Sequence, residues 1–410
     1  MRTDPRVPPA PVARSARGRF RARFRWYGLL ALLLGALAAC SGQAAPASSR
    51  HAAAGHPVQA AKGGGGTAAA SGAAANGGRG AAAGEVSPGG SGPLAGGALL
   101  IADRYNHRLL LVDERKRILW SYRFAPLWAG NRPADGPDDA FFTPGYGSII
   151  TNEEDHHVIA EIDPVSGRVL WHYGHPGVPG AARGYLNGPD DAYRLSPKEA
   201  RLAGVPQGTT TVADIRNCRI LFIAPDGRVV RQIGTTGACL HRPPRYLASP
   251  NGDTPLPDGG MLVTEIGGSH VLRLSPRGQV LWDLKLPGLT YPSDAQLLPD
   301  GSILVAGYTD PGQVLRVTTS GKVLWRYAPV SGAGRLRLPS LAIRLPNGLV
   351  AVNDDADHRV VVIDPASDSI VWQFGVTGVP GDDATHLDVP DGMNWVPASV
   401  AARLAAGAGR

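Results

Sequence analysis

The apolar residues of this chain fall in short, nearly continuous runs between about residues 98 and 398. Runs such as "RLLLV" and "RVVVI" show no strict alternation with polar residues, which is typical of strands covered on both faces. Turn signals such as "LPDG" separate the runs. The pattern therefore predicts an all-β domain of many short strands.

Two markers repeat six times in this region. The last strand of each unit ends in a tryptophan, which Arg231 replaces once; the tryptophans are Trp120, Trp171, Trp282, Trp325 and Trp372. A proline precedes polar residues at Pro137, Pro189, Pro250, Pro292, Pro339 and Pro390. The spacing fits a blade of four strands with its loops, so the sequence predicts a six-bladed β-propeller. The tryptophans are expected to pack between blades.

The two ends of the region complement each other. The region opens on a second strand, "GALLIADRYN", and finishes with a surplus first strand, "VPDGMNWVPA" (Val389–Ala398). Pairing these strands would close the ring and remove its exposed sheet edges. An open solenoid is the alternative.

Two further motifs carry a resemblance to known families. "ADRYNHRLLLVD" and "NDDADHRVVVID" resemble NHL repeats, whose core is held here by Asp103, Asn106, His107 and Arg108 and by Asp354, Asp357, His358 and Arg359. "IDPVSGRVLW" is similar to the tryptophan-docking motif of pyrroloquinoline-quinone-type propellers. The resemblance implies a propeller and says little about function, because propellers host many activities. Quinone enzymes of that type have eight blades and an adjacent-cysteine disulfide, so pyrroloquinoline quinone is not expected.

The start of the chain has the features of an export signal. Eight arginines precede a thirteen-residue apolar segment, Tyr27 to Ala39, which is short for a membrane span and suits a signal peptide over residues 1–39. "LAAC" resembles the lipobox of bacterial lipoproteins, which implies a lipid on Cys40 and an extracytoplasmic, membrane-anchored protein. An ordinary secretory signal is the alternative.

The rest of the chain divides by composition. Residues 40–97 are rich in Ala and Gly and are predicted to form a disordered tether, since they cannot bury enough apolar surface to fold. The propeller is predicted over residues 98–398 and a C-terminal tail over 399–410. The net charge of +7 lies wholly within residues 1–39, so nucleic-acid binding is not expected. The propeller domain is expected to be monomeric.

Cysteine usage fits export. With Cys40 lipidated, Cys218 and Cys239 remain, and an oxidising compartment favours a disulfide between them. Two free thiols are the alternative.

Acidic residues recur after the repeat prolines, where the loops of different blades should meet at one end of the channel. Carboxylates converging from several blades can hold a hard divalent cation such as Ca²⁺. The predicted ligands are Asp138, Asp190, Asp294 and Asp391. Asp139 and Asp191, one residue further on, are expected to face away. The alternative is that these acids are Asx-type turn caps.

Two classes of function follow. The first is a membrane-anchored propeller that binds a small-molecule or protein ligand through its acid-rich face. The second is a metal-assisted hydrolase or lyase, which six-bladed propellers of the gluconolactonase and peptidylglycine-lyase kinds suggest. An arylsulfotransferase-like activity has less support, because Ser293 stands at the position inspected for a channel histidine. The histidines at NHL positions are expected to form inter-blade hydrogen bonds.

Overall fold

The computed structural model describes residues 92–124 and 136–407. The predicted signal peptide, Cys40 and most of the predicted tether lie outside these residues. Within the described part of the chain, no helix is long and apolar enough to cross a membrane.

The described residues form a six-bladed β-propeller, as predicted. Blade one contains β1 (Ala98–Asp103), β2 (Arg108–Asp113), β3 (Ile118–Arg123) and the last strand, β23 (Pro390–Val396). Blade two contains β4 (Ala140–Phe142), β5 (Ile149–Glu153), β6 (Val158–Ile162) and β7 (Val169–Gly174). Blade three contains β8 (Pro189–Arg194), β9 (Thr210–Asp214), β10 (Arg219–Ile223) and β11 (Val229–Ile233).

The other three blades follow in chain order. Blade four contains β12 (Met261–Glu265), β13 (His270–Leu274) and β14 (Val280–Lys285). Blade five contains β15 (Pro292–Leu297), β16 (Ile303–Gly307), β17 (Gln313–Val317) and β18 (Val323–Tyr327). Blade six contains β19 (Ala342–Arg344), β20 (Val350–Asp354), β21 (Arg359–Asp364) and β22 (Ser369–Gly375). Two helices, α1 (Pro197–Ala203) and α2 (Ala398–Gly407), lie outside the blades.

The ring closes where β23 pairs antiparallel with β1, with Ala98 opposite Val396. This pairing confirms the predicted closure. The folded domain also extends beyond the predicted limits, residues 98 and 398, at both ends. Leu94 is fully buried and its carbonyl accepts a hydrogen bond from the Trp395 indole at 2.9 Å. At the other end, α2 buries Leu404 against blade one.

The repeated tryptophans join each blade to the next. The indole N–H of Trp120 donates to the carbonyl of Pro164, in the turn between the third and fourth strands of blade two, at 2.8 Å. Arg231, which replaces a tryptophan, makes the same contact with Pro276 at 2.8 Å. The equivalent bonds join Trp171 to Pro225 and Trp372 to Glu114. The prediction of inter-blade packing is confirmed.

Blade four departs from the predicted four strands. Its first strand is reduced to two isolated bridges, Pro250 with Glu265 and Pro255 with Met261. Proline lacks the N–H that a ladder needs, and the intervening Gly252 has no side chain to pack, so a regular strand is not maintained.

The NHL-type motif fixes the loops between second and third strands. In blade one, Arg108 Nε donates to Asp103 at 2.6 Å, and the same pair recurs as Arg219 with Asp214 and Arg359 with Asp354. The histidine of the motif adopts the left-handed conformation, and His358 Nδ1 accepts a hydrogen bond from the Val389 amide, which leads into the next blade. The expected inter-blade hydrogen bond is confirmed for His358, whereas Nδ1 of His107 has no partner among the described residues.

Cys218 occupies the histidine position of this motif in blade three and forms the predicted disulfide with Cys239. The bond closes a loop of 21 residues. It ties the second-to-third loop of blade three to the segment that leads into blade four.

Removing this disulfide should destabilise the propeller. The double variant Cys218→Ser/Cys239→Ser should lose about 3 kcal/mol of unfolding free energy, because the unfolded chain gains loop entropy. Urea denaturation of both proteins measures the loss. Dithiothreitol should bring the wild type to the midpoint of the variant and leave the variant unchanged; equal midpoints without reductant would contradict the assignment.

Candidate cation site in the propeller channel

Acidic side chains from all six blades interact with one another at one end of the central channel. They come from the residues after the repeat prolines and from the loops after the second strands. The set is Asp138, Asp139, Glu154, Asp155, Asp190, Asp191, Asp253, Asp294, Asp355 and Asp391.

One arginine neutralises part of this set. Arg104 begins a single 3-10 turn after β1, and its backbone N–H donates to the Val389 carbonyl at 3.1 Å. Its guanidinium is largely buried and contacts four carboxylates, those of Asp138, Asp391 at 2.8 Å, Glu154 at 3.0 Å and Asp155 at 3.2 Å. Burial opposes its charge, but the adjacent carboxylates outweigh burial and raise the pKa of Arg104. Arg104 therefore acts as an internal counter-ion.

Asp138 and Asp190, two of the four predicted ligands, lie close together near this arginine. Ligand oxygens of Asp138, Asp139 and Asp190 all lie within 4.8 Å of one another. Burial raises the pKa of Asp138 well above its usual range, although Arg104 acts in the opposite direction. Burial and the neighbouring charge of Asp139 raise the pKa of Asp190 in the same way.

A second group, here called the inner carboxylates, consists of Asp139, Asp191, Asp253 and Asp294, one each from blades two to five. All four are buried. Two glycines make room for them. A Cβ on Gly252 would lie 2.7 Å from Asp294 Oδ1 and 3.2 Å from Asp191 Oδ2, and one on Gly392 would lie 2.2 Å from Asp139 Oδ1.

Asp253 has the least compensated charge of the inner carboxylates. Its side chain is completely buried, and neither carboxyl oxygen makes a hydrogen bond of good geometry within the described residues, although the Thr211 hydroxyl lies close enough to lower its pKa. Its backbone N–H lies 3.4 Å from Asp191 Oδ2, which places it against the other acids. Burial, reinforced by the charge of Asp294, raises the pKa of Asp253 well above its usual range. Burial also raises the pKa of Asp294, to about 6.

The four predicted ligands do not form a single ring. Asp138 lies with Asp190, Asp391 shares the Arg104 guanidinium with Asp138, and Asp294 lies with the inner carboxylates. The expectation that Asp139 and Asp191 face away is wrong. The register shift between Pro189 and Ala192 breaks the alternation of β8, so Asp190 and Asp191 both reach the channel, and Asp138 and Asp139 lie ahead of β4, where strand alternation does not apply.

Turn capping explains few of these acids. Exposed acids such as Asp163 and Asp226 do accept backbone bonds within their own turns. In the described part of the chain, Asp294 is the only inner carboxylate that accepts a backbone hydrogen bond from its own segment. The donor is the Ala295 amide, at 2.6 Å.

The internal counter-ion is expected to be essential for stability. Arg104→Gln should lower the unfolding free energy by about 3–5 kcal/mol, because it leaves several buried carboxylates without a cation. Arg117→Gln is the matched control. It removes an exposed guanidinium 2.7 Å from Asp113, whose carboxylate keeps its bonds from the Arg115 and residue-117 amides, and should cost less than about 1 kcal/mol. Urea denaturation compares the two, and equal losses would contradict the role of Arg104.

Comparisons with known proteins agree with the architecture. Residues 154–337 match the model of a PQQ-type repeat family described as outer membrane protein assembly factor BamB. No curated protein matches the chain.

Several solved structures are similar to this chain at low sequence identity. A chain of a nidogen/laminin complex is 14% identical with a TM-score of 0.50, covering 74% of this chain and 99% of that chain. A Bacteroides caccae protein of unknown function is 20% identical with a TM-score of 0.49, covering 73% and 98%. A virginiamycin B lyase from Staphylococcus aureus with quinupristin is 17% identical with a TM-score of 0.42, covering 61% and 73%. The blade topology shows a six-bladed β-propeller, of which residues 154–337 match the PQQ-type repeat family.

Proposed function

We propose that this chain is an extracytoplasmic, membrane-anchored propeller whose acid-rich channel binds a divalent cation, Ca²⁺ being the best match, and presents it to a small-molecule or protein ligand. The observation that carries the proposal is Asp253. A completely buried carboxylate without a well-formed hydrogen bond is costly, and here two other buried carboxylates, Asp191 and Asp294, lie beside it.

Electrostatics favours a bound cation. Two carboxylates about 4 Å apart repel each other by roughly 4 kcal/mol at an effective dielectric of 20. The protein can relieve this repulsion by protonation or by binding a cation. The raised pKa values of the inner carboxylates correspond to relief by protonation. A bound divalent cation would relieve the same repulsion in place of those protons.

The chemistry of the donors selects the kind of cation. The inner carboxylates offer only oxygen atoms, and Ca²⁺ takes six to eight oxygen ligands in flexible geometry. Carboxylates from four blades, with the Thr254 hydroxyl 3.3 Å from Asp294, supply part of such a shell, and water or a ligand completes it.

Arg104 determines where the cation binds. It contacts the acids of blades one and two at the mouth. No salt bridge within 4 Å joins the inner carboxylates to a basic side chain in the residues described. The free negative charge therefore lies towards blades three to five, and a cation there has room for an external ligand.

A metal-assisted hydrolase or lyase is the second candidate. The pKa of Asp294, raised to about 6, favours it, because a carboxyl that exchanges protons near neutral pH is suited to general acid–base catalysis. Such an enzyme would turn over a substrate that the binding module only holds.

Calcium binding gives a direct test on the purified chain after treatment with EDTA. At a hundred times its Kd, Ca²⁺ should raise the thermal midpoint by about 5 °C, because it binds only the folded state. Asp253→Asn should raise the cation-free midpoint by about 2–4 °C, because it removes an uncompensated buried charge, and it should abolish the response to Ca²⁺.

Asp226→Asn, which changes an exposed acid paired with Arg228, is the control and should keep the wild-type response. An unchanged wild-type midpoint in Ca²⁺ would overturn the cation site. A wild-type response that persists in Asp253→Asn would place the cation elsewhere.

The anchoring part of the proposal rests on the lipobox-like sequence, and the Cys218–Cys239 disulfide suits an oxidising compartment. Mass spectrometry of the protein from its native membrane should find Cys40 as the first residue, carrying lipid. Cys40→Ala should release the protein from the membrane fraction, whereas Ser41→Ala should not. An unmodified thiol at Cys40 would contradict anchoring.

A further inference from the structure

A second cluster of metal-binding side chains lies between blades three and four, separate from the channel carboxylates. It consists of His241, His270 and Asp283, whose candidate ligand atoms all lie within 4.8 Å of one another. We refer to these three residues as the histidine cluster.

The positions of the cluster show how blade four departs from the repeat. In blade six the equivalent positions hold Arg359 and Gln373, whose side chains are joined at 3.0 Å. Blade four has His270 and Asp283 there. An arginine has only donors, whereas imidazole and carboxylate offer lone pairs to a metal. The two substitutions therefore replace a structural pair by a potential ligand pair.

The geometry of the cluster is close to that of a metal site. His241 Nε2 lies 2.9 Å from Asp283 Oδ2, and His270 Nδ1 lies 2.6 Å from Asp283 Oδ1. The two imidazole rings are 3.7 Å apart between centroids. Donor atoms around a tetrahedral zinc ion, with bonds of about 2.0–2.2 Å, are about 3.4 Å apart. Side-chain shifts of about 1 Å would thus admit the ion.

A buried carboxylate orients the first histidine. Glu265 is fully buried, and one of its oxygens accepts the Ala248 N–H at 2.9 Å. Its other oxygen contacts His241 Nδ1. As an acceptor, Glu265 holds the proton on Nδ1, so Nε2 is the nitrogen available to a metal, which would take the place of the proton between Nε2 and Asp283. Such a carboxylate behind a histidine is the usual support of a zinc ligand.

The loop that carries His241 is also fixed in place. Cys239, two residues earlier, is cross-linked to Cys218, and the Arg242 N–H donates to the Leu240 carbonyl at 3.0 Å. His270 and Asp283 lie on adjacent strands, β13 and β14. Rigid supports on both sides reduce the entropy lost when a ligand binds.

We propose that His241, His270 and Asp283 bind one Zn²⁺ ion. Two imidazoles and a carboxylate suit a borderline-soft transition metal and disfavour Ca²⁺, which takes oxygen ligands. Three protein ligands leave the fourth tetrahedral position for water or an external group. The cluster is partly exposed, with side-chain accessibilities of 27%, 16% and 31%, so solvent reaches this position.

The test is titration of the EDTA-treated full chain with ZnCl₂, followed by calorimetry. One ion should bind per chain. His241→Gln, which can keep the contact with Glu265, and His270→Gln should each weaken binding at least tenfold. Glu265→Gln should weaken it ten- to a hundredfold through loss of the supporting carboxylate.

His386→Gln is the matched control, because it removes a partly exposed histidine that is paired with an acid, Asp383, in another loop leading into a first strand. It should bind Zn²⁺ like the wild type, and so should Asp253→Asn, which separates this site from the channel. Equal affinity in His241→Gln, His270→Gln and the wild type would overturn the proposal.

A measurement on the wild type alone covers the case in which a variant fails to fold. Co²⁺ bound in place of Zn²⁺ should give the intense visible absorption of a four-coordinate site, and one equivalent of Zn²⁺ should remove it. A spectrum no different from that of Co²⁺ in buffer would overturn the proposal.

Discussion

The pairing of β23 with β1 is the constraint on which the rest of the structure depends. It closes the row of blades into a ring. Only a closed ring brings β23, the last strand of the chain, and the loop before it beside the other strands of blade one. The backbone of Arg104 is held by the residue before β23, and its guanidinium reaches Asp391 in β23 and Asp138 ahead of β4. The contact of this internal counter-ion with Asp391 therefore exists only when the ring is closed. Formation of this contact and closure of the ring are the same event.

The channel combines two ways of accommodating buried negative charge. Near blades one and two, a guanidinium fixed by the fold compensates the carboxylates. Near blades three to five, the described residues place no basic group in contact with the inner carboxylates, and protonation takes its place. Such an arrangement lowers stability in the absence of a ligand. A protein tolerates that cost when the same groups are needed for binding.

The sequence predicted the fold well because the fold depends on a repeated residue. Trp120, Trp171 and Trp372 make the same bond to a backbone carbonyl of the next blade, and even Arg231 preserves it. The site was harder to predict, since it depends on differences between repeats. Alternation along a strand failed where register shifts follow the repeat prolines.

A single repeat gives no signal for the role of Arg104, which becomes visible only when the six repeats are compared. Aligned at the residue after the second strand, the six blades have Arg104, Glu154, Ile215, Ile266, Tyr308 and Asp355. In that comparison, Arg104 is the one basic residue among acidic and uncharged residues. Its contacts with carboxylates of two blades are not visible there, because they depend on the three-dimensional packing of the blades, and the contact with Asp391 also requires the closed ring.

The register of β1 also decides how the channel is approached. This strand starts at Ala98, beside Val396, and runs towards Arg104 at the acidic end. The polypeptide thus enters the propeller at the end opposite the carboxylates. Any attachment that precedes Gly92 is joined to that far end, and helix α2 leaves β23 there as well. Within the described residues, both ends of the chain therefore lie away from the acidic opening.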